Sequence, residues 1–249
     1  MSVDRPDDSD AHLESADAHE VPGDASDRGE PEVAGQPTEQ AARLQAHAEL
    51  RVNAADAYRA YAIDQGCDRV REIEETVTTP AMRRIEAEDS SRVLVGLEFR
   101  LKGRERLAEK VAFDMTKKGI TADEAFAGVK DAIRYTFEYP EDGYTSGVYV
   151  DCDRLASEGF ELVERRNSWT KEEYKGINSR WRALENRQVF EVQFHTQASF
   201  EAKQATHWAY ERLRSGVPAQ EQRRLDQFQR DVSARIPIPP SAPDIPDYP

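Results

Sequence analysis

A chain of 249 residues with 38% hydrophobic side chains and a net charge of −14 has room for one sizeable core, but too little apolar material to spread evenly along its length. Twelve acidic residues against Arg5 and Arg28 give the first forty residues a net −10, which leaves −4 for the rest. No apolar run approaches the roughly 20 residues that span a bilayer, and two cysteines, Cys67 and Cys152, argue against a disulfide scaffold or a thiolate zinc centre.

Residues 1–37 are expected to be a disordered acidic tail, because so charged a segment buries too little surface to offset its ordering entropy. Its start lacks the basic and apolar regions of a secretory signal, so a soluble, cytoplasmic protein is expected. Residues 38–89 read as helical: Thr38 caps a helix to about residue 62, Cys67, Val70, Ile73 and Val77 recur at helical spacing before Pro80, and Met82 and Ile85 mark a third short helix. An α+β domain is expected over 90–215. Strands are predicted at 93–102, 133–139, 160–166, 177–183 and 188–195. Helices are predicted at 103–118, 123–129, around Val148 to Leu155 with Gly159 closing it, and 198–214. A last helix covers 216–234, and the proline-rich residues 235–249 are expected to be a second disordered tail.

Alternation assigns faces to these strands. Val93, Val95, Leu97, Phe99 and Leu101 oppose Glu98, Arg100 and Lys102; Phe190, Val192 and Phe194 oppose Glu191, Gln193 and His195; Ile177 and Trp181 oppose Asn178, Arg180 and Arg182. The sheet is therefore expected to carry one apolar and one ionic face. A solvated face explains such charge equally well. Two features point further. Lys102 leads into a helix on which Arg106 and Lys110 stand four apart beside Arg100, a row of cations suited to a polyphosphate in a chain without a Walker or dinucleotide motif. Glu191 stands mid-strand among apolar neighbours, where a carboxylate serves as metal ligand, base or ion-pair partner. Asp131, at the start of the Ile133–Phe137 strand, is either a second Mg²⁺ carboxylate or a turn residue.

These residues resemble the synthetase domain of RelA/SpoT homologues. The resemblance rests on Arg100-Leu101-Lys102 with Lys110, Tyr174-Lys175-Gly176-Ile177-Asn178, Phe190-Glu191-Val192-Gln193-Phe194-His195-Thr196 and His207-Trp208-Ala209-Tyr210, in order over about 115 residues. It implies a nucleotidyltransferase-like mixed sheet flanked by helices, and transfer of pyrophosphate from ATP to a ribose 3′-hydroxyl. It further implies Mg²⁺ on Asp131 and Glu191, and Glu191 as base. The triphosphate would lie on Arg100, Lys102, Arg106, Lys110 and Arg134. Tyr174 would stack on the acceptor base, with Lys171, Asn178, Arg180, Gln193 and His195 on the acceptor side. The implied acceptor is GDP, GTP or an adenine nucleotide in an alarmone synthetase, or tRNA in a toxin relative with an antitoxin; a degenerate binding module and a homo-oligomer stay open. Departures cluster on the acceptor side: Gly176 and Asn178 replace a serine and a histidine, His195 an arginine. On the donor side Arg106 replaces a serine, and Asp131 lies three rather than five residues before Arg134.

Overall fold

The computed structural model describes residues 38–249, so the acidic segment expected to be disordered, with His12 and His19, lies outside the described residues. Residues up to Glu49 and residues Leu50–Pro249 are distinct units, and the second carries the whole sheet.

Three helices were expected before residue 90; the backbone is instead helical without a break. α1 (Glu39–Ile73) passes through a π-helical turn (Glu74–Thr78) into α2 (Thr79–Ala87). The wider turn immediately precedes Pro80, whose ring would clash with the carbonyl four residues back in a regular α-helix. Cys67, Val70, Ile73, Met82 and Ile85 are buried, as their spacing suggests.

The remainder is α+β. β1 (Val93–Val95), α3 (Arg104–Lys118), α4 (Ala122–Gly128) and β2 (Arg134–Tyr139) are followed by α5 (Tyr144–Ser157), β3 (Phe160–Asn167), β4 (Ile177–Ala183) and β5 (Val189–Thr196), then α6 (Gln197–Arg214) and α7 (Ala219–Ser233). The sheet runs β1-β2-β5-β4-β3, with β2 and β5 parallel and every other pair antiparallel. Phe137, Phe190, Phe194, Ile177 and Trp181 are buried on its apolar side. Phe137 stacks on Phe194 at 6.5 Å between centroids, and Phe160 meets Phe190 edge-on at 4.8 Å. Each such ring contributes roughly 1.5–3 kcal/mol by leaving water.

Two expectations fail here. The strand predicted over 93–102 stops at Val95, because Gly96 adopts φ +64° and the chain turns through a short 3₁₀ segment, Leu97–Phe99. Within β1 itself the faces are the reverse of those expected, with Leu94 buried opposite Phe137 and Val93 exposed, and beyond the turn Phe99 is exposed by 64%. The proline-rich C-terminal segment is not a free tail either. Ile236, Ala242 and Ile245 are buried in the core, the Asn167 side-chain amide donates to the Ala242 and Ile245 carbonyls at 2.8 Å, and Arg165 and Tyr248 exchange backbone hydrogen bonds at 3.1 and 2.9 Å. Three apolar side chains supply the burial that the composition of the segment conceals.

Candidate functional site

The ionic side of the sheet forms the floor of a cleft of about 570 Å³, flanked by residues of α6 and α7. Register places Arg134 of β2 and Arg180 of β4 on either side of Glu191, and Thr136 and Asn178 on either side of Gln193. Glu191 is only 9% exposed. Its Oε2 accepts from Arg134 Nε at 2.7 Å, and its Oε1 accepts from the Gln193 amide at 3.0 Å. The same guanidinium lies 3.5 Å from Asp131, which also accepts from Lys102 Nζ at 2.8 Å. The two carboxylates therefore share Arg134. Burial alone would raise the Asp131 carboxyl, but the Lys102 hydrogen bond and the charges of Lys102, Arg134 and Lys110 together hold it below the usual carboxylate range.

In the loop before β4, Tyr174 donates to Asn178 Oδ1 at 2.8 Å and meets His195 Nε2 at 2.9 Å. His195 Nδ1 lies 2.8 Å from the Ser199 hydroxyl, which also donates to the Thr196 carbonyl at 3.1 Å. Burial, reinforced by the charge of Lys203, keeps His195 neutral by holding its pKa well below the usual value. Gly176 lies against the same ring: a Cβ there would stand 2.7 Å from His195 Cε1. Gly176, Asn178 and His195, three of the departures from the RelA/SpoT pattern, thus form one contact cluster around Tyr174.

Of the residues singled out from sequence, Lys102, Arg106, Asp131, Arg134, Tyr174, Asn178, Glu191 and Gln193 line the cleft. Arg100, Lys110, Lys171, Arg180 and His195 do not. Arg100 turns to the buried Glu74 at 2.7 Å, because the 3₁₀ turn breaks the alternation that would have aimed it at Glu191. Lys110 lies 3.6 Å from Asp114, Arg180 pairs with Glu164, Lys171 is exposed, and His195 sits beneath Tyr174.

The cleft-lining face of α6 supplies residues beyond those singled out from sequence. Lys203, His207, Tyr210 and Arg214 recur at four, three and four residues, the signal of one helical face. Lys203 Nζ donates to Gln193 Oε1, and burial, aided by the charge of Arg134, pulls its pKa down to about 8. α7 contributes Gln229 to the cleft, and its Arg230 pairs with Glu172 and Glu173 at 3.3 and 2.9 Å, tying the helix to the Tyr174 loop.

No family model and no curated protein matches the sequence. The solved structures it is similar to include a GTP pyrophosphokinase family protein and small alarmone synthetases. A GTP pyrophosphokinase family protein from Streptococcus pneumoniae is 16% identical, over 69% of this chain and 86% of that one, at a TM-score of 0.46. The small alarmone synthetase 1 from Bacillus subtilis is 13% identical over 72% and 92%, at 0.42. Small alarmone synthetase 2 from the same organism is 16% identical over 61% and 80%, also at 0.42.

No third Asp, Glu, His or Cys joins Asp131 and Glu191 in a metal-holding group among the described residues. Two carboxylates around one cation fit Mg²⁺, which commonly takes one or two carboxylates and completes its shell with substrate phosphates and water. They do not make a closed all-protein site. No described helix is long and apolar enough to cross a membrane.

Proposed function

We propose that this chain is a Mg²⁺-dependent pyrophosphokinase that moves the β,γ-pyrophosphoryl group of ATP to the 3′-hydroxyl of a purine nucleotide. The observation that carries the reading is the shared guanidinium: Asp131 and Glu191 meet on Arg134 in a cleft also supplied with Lys102, Arg106, Lys203 and Arg214. Phosphoryl-type transfer asks the protein mainly to position two substrates and to neutralise developing negative charge, and such a cleft does both.

Lys102, Arg106 and Arg134 hold the triphosphate in this reading. Arg134 is placed to pass part of its pairing from the carboxylates to phosphate oxygens as the nucleotide arrives. Tyr174, fixed by His195 and Asn178, offers its ring to the acceptor base with its hydroxyl already engaged. Glu191 accepts the 3′-hydroxyl proton, and Gln193, bridged to Lys203, holds that carboxylate in place. Mg²⁺ held by Asp131 and Glu191 would supply charge neutralisation on the transferred group. Lys110 acts on Asp131 through its charge. Work in the cytoplasm, where ATP is abundant, belongs to the same proposal.

The test is direct. With Mg²⁺ and γ-labelled ATP, the wild type transfers label to one of GDP, GTP, ATP or tRNA and releases AMP. Glu191→Gln, of equal shape, should lower that rate by about 10²–10⁴-fold. Absence of AMP with every acceptor, or an unimpaired Glu191→Gln, overturns the reading. Label on tRNA alone would move the acceptor to the toxin-like class.

A further inference from the structure

Beside the cleft, under the N-terminal half of α6, lies a recess of about 160 Å³, roughly five waters' worth of space. Arg134, Lys203 and Phe99 line both spaces, so whatever enters the recess continues into the cationic cleft. Two phenylalanines are among its lining residues, Phe99, exposed by 64%, and Phe200 of α6.

Gly96 shows how close the two rings come. A Cβ at this glycine would lie 3.3 Å from Phe200 Cζ and 3.8 Å from Phe99 Cδ2, so both rings approach the same glycine, and a side chain there would press on Phe200 at the border of the recess. Lys203 Nζ lies 5.3 Å from the Phe200 ring centroid and adds positive charge where recess and cleft join. Thr136 and Gln204 bring a hydroxyl and an amide to the edge of the recess. A lone exposed phenylalanine is ordinary on a protein surface. Two rings converging on an opening that leads to a row of cations are what a flat, apolar-faced group attached to phosphates requires.

We propose that the recess is a nucleobase slot, taking the purine ring of a nucleotide between Phe99 and Phe200 while its phosphates lie on Arg134 and Lys203. This rests on the pyrophosphokinase reading and adds to it the place of one base. The slot is distinct from the Tyr174 ring, which stands in the loop leading into β4, across β5 from β2.

Calorimetric titration of ATP, GDP and inorganic tripolyphosphate into wild type and Phe99→Ala tests the slot without any turnover. Because Phe99 is exposed, the variant should keep the wild-type melting temperature. Removal of one stacking ring should weaken ATP or GDP by about tenfold, within the range such losses span, and leave tripolyphosphate unchanged. Gly96→Asn, a residue that tolerates left-handed backbone, should press on Phe200 at the border of the recess and give the same selective loss. If both nucleotides bind Phe99→Ala as they bind wild type, or if tripolyphosphate weakens as much as they do, the slot is overturned while the Glu191 assay stands. If wild type binds none of the three, the slot and the pyrophosphokinase reading fall together.

Discussion

At Gly176 the backbone holds φ +144°, and the nearest neighbour of the missing Cβ is the buried His195 ring. Gly176→Ala therefore meets two obstacles, a backbone region unfavourable to side chains and a contact of 2.7 Å, and should lose about 2–4 kcal/mol in urea denaturation. In a His195→Ala background, where that contact is gone, Gly176→Ala should cost less than in wild type but still cost something. No cost at all in that background would show that the backbone carries no strain. Lys203 presents the opposite case, a residue that costs stability where it stands. Its pKa is pulled from 10.5 to about 8, so below pH 8 the folded protein carries a charged amine that the unfolded chain holds more cheaply. The unfolded chain binds more protons between pH 8 and 10.5, so wild-type stability should rise across that window. Lys203→Met should melt higher than wild type at pH 7, by about 2–4 °C for each kcal/mol relieved, with the gap closing by pH 10.5. A variant that melts lower at pH 7 would mean that the bond to Gln193 outweighs the desolvation of the amine.

Among the elements, legibility followed how many faces each one buries. β4 alternates strictly between buried and half-buried residues, because one side meets the core and the other the rim of the cleft, and its pattern reads directly from Ile177 to Ala183. β5 has both sides covered, and Glu191, Gln193 and His195 could be assigned to one face only by contrast with the phenylalanines between them. β1 could not be read, because a single glycine at φ +64° turns the chain and sends Phe99 and Arg100 to places that a continuous strand forbids. The C-terminal segment misled for a different reason. Proline fixes an extended backbone whether or not that backbone is packed, so composition predicted the conformation and missed the docking. Because β3 is an edge strand, the Tyr248 pairing also covers backbone groups that would otherwise be open to another chain. Removing residues 236–249 should lower the urea midpoint and promote concentration-dependent association measurable by light scattering. A truncated protein that stays monomeric with an unchanged midpoint would show that the segment stabilises nothing.

For the molecule as a whole, the chain is strongly acidic, yet its described cleft gathers Lys102, Arg106, Arg134, Lys203 and Arg214 among four carboxylates, Asp131, Glu173, Glu191 and Glu211. Net charge therefore says little about the ligand, and only the fold shows where cations of opposite ends of the sequence converge. A nucleotide that binds the folded state alone stabilises it by about 2.7 kcal/mol at a hundred times its dissociation constant. In a domain of this size that corresponds to roughly 5–10 °C in melting temperature. ATP alone should give part of this shift, because the cations remain partly neutralised by Asp131 and Glu191. ATP with Mg²⁺ should give more, because the metal takes over those carboxylates and frees Arg134 for phosphate. Mg²⁺ alone should do little, since among the described residues no more than two carboxylates come together to hold it. In Glu191→Gln the shift with ATP should persist while the increment from Mg²⁺ shrinks. Equal shifts with and without Mg²⁺ in both proteins would dissociate the carboxylate pair from the metal and leave Asp131 and Glu191 as ion-pair partners of Arg134 alone.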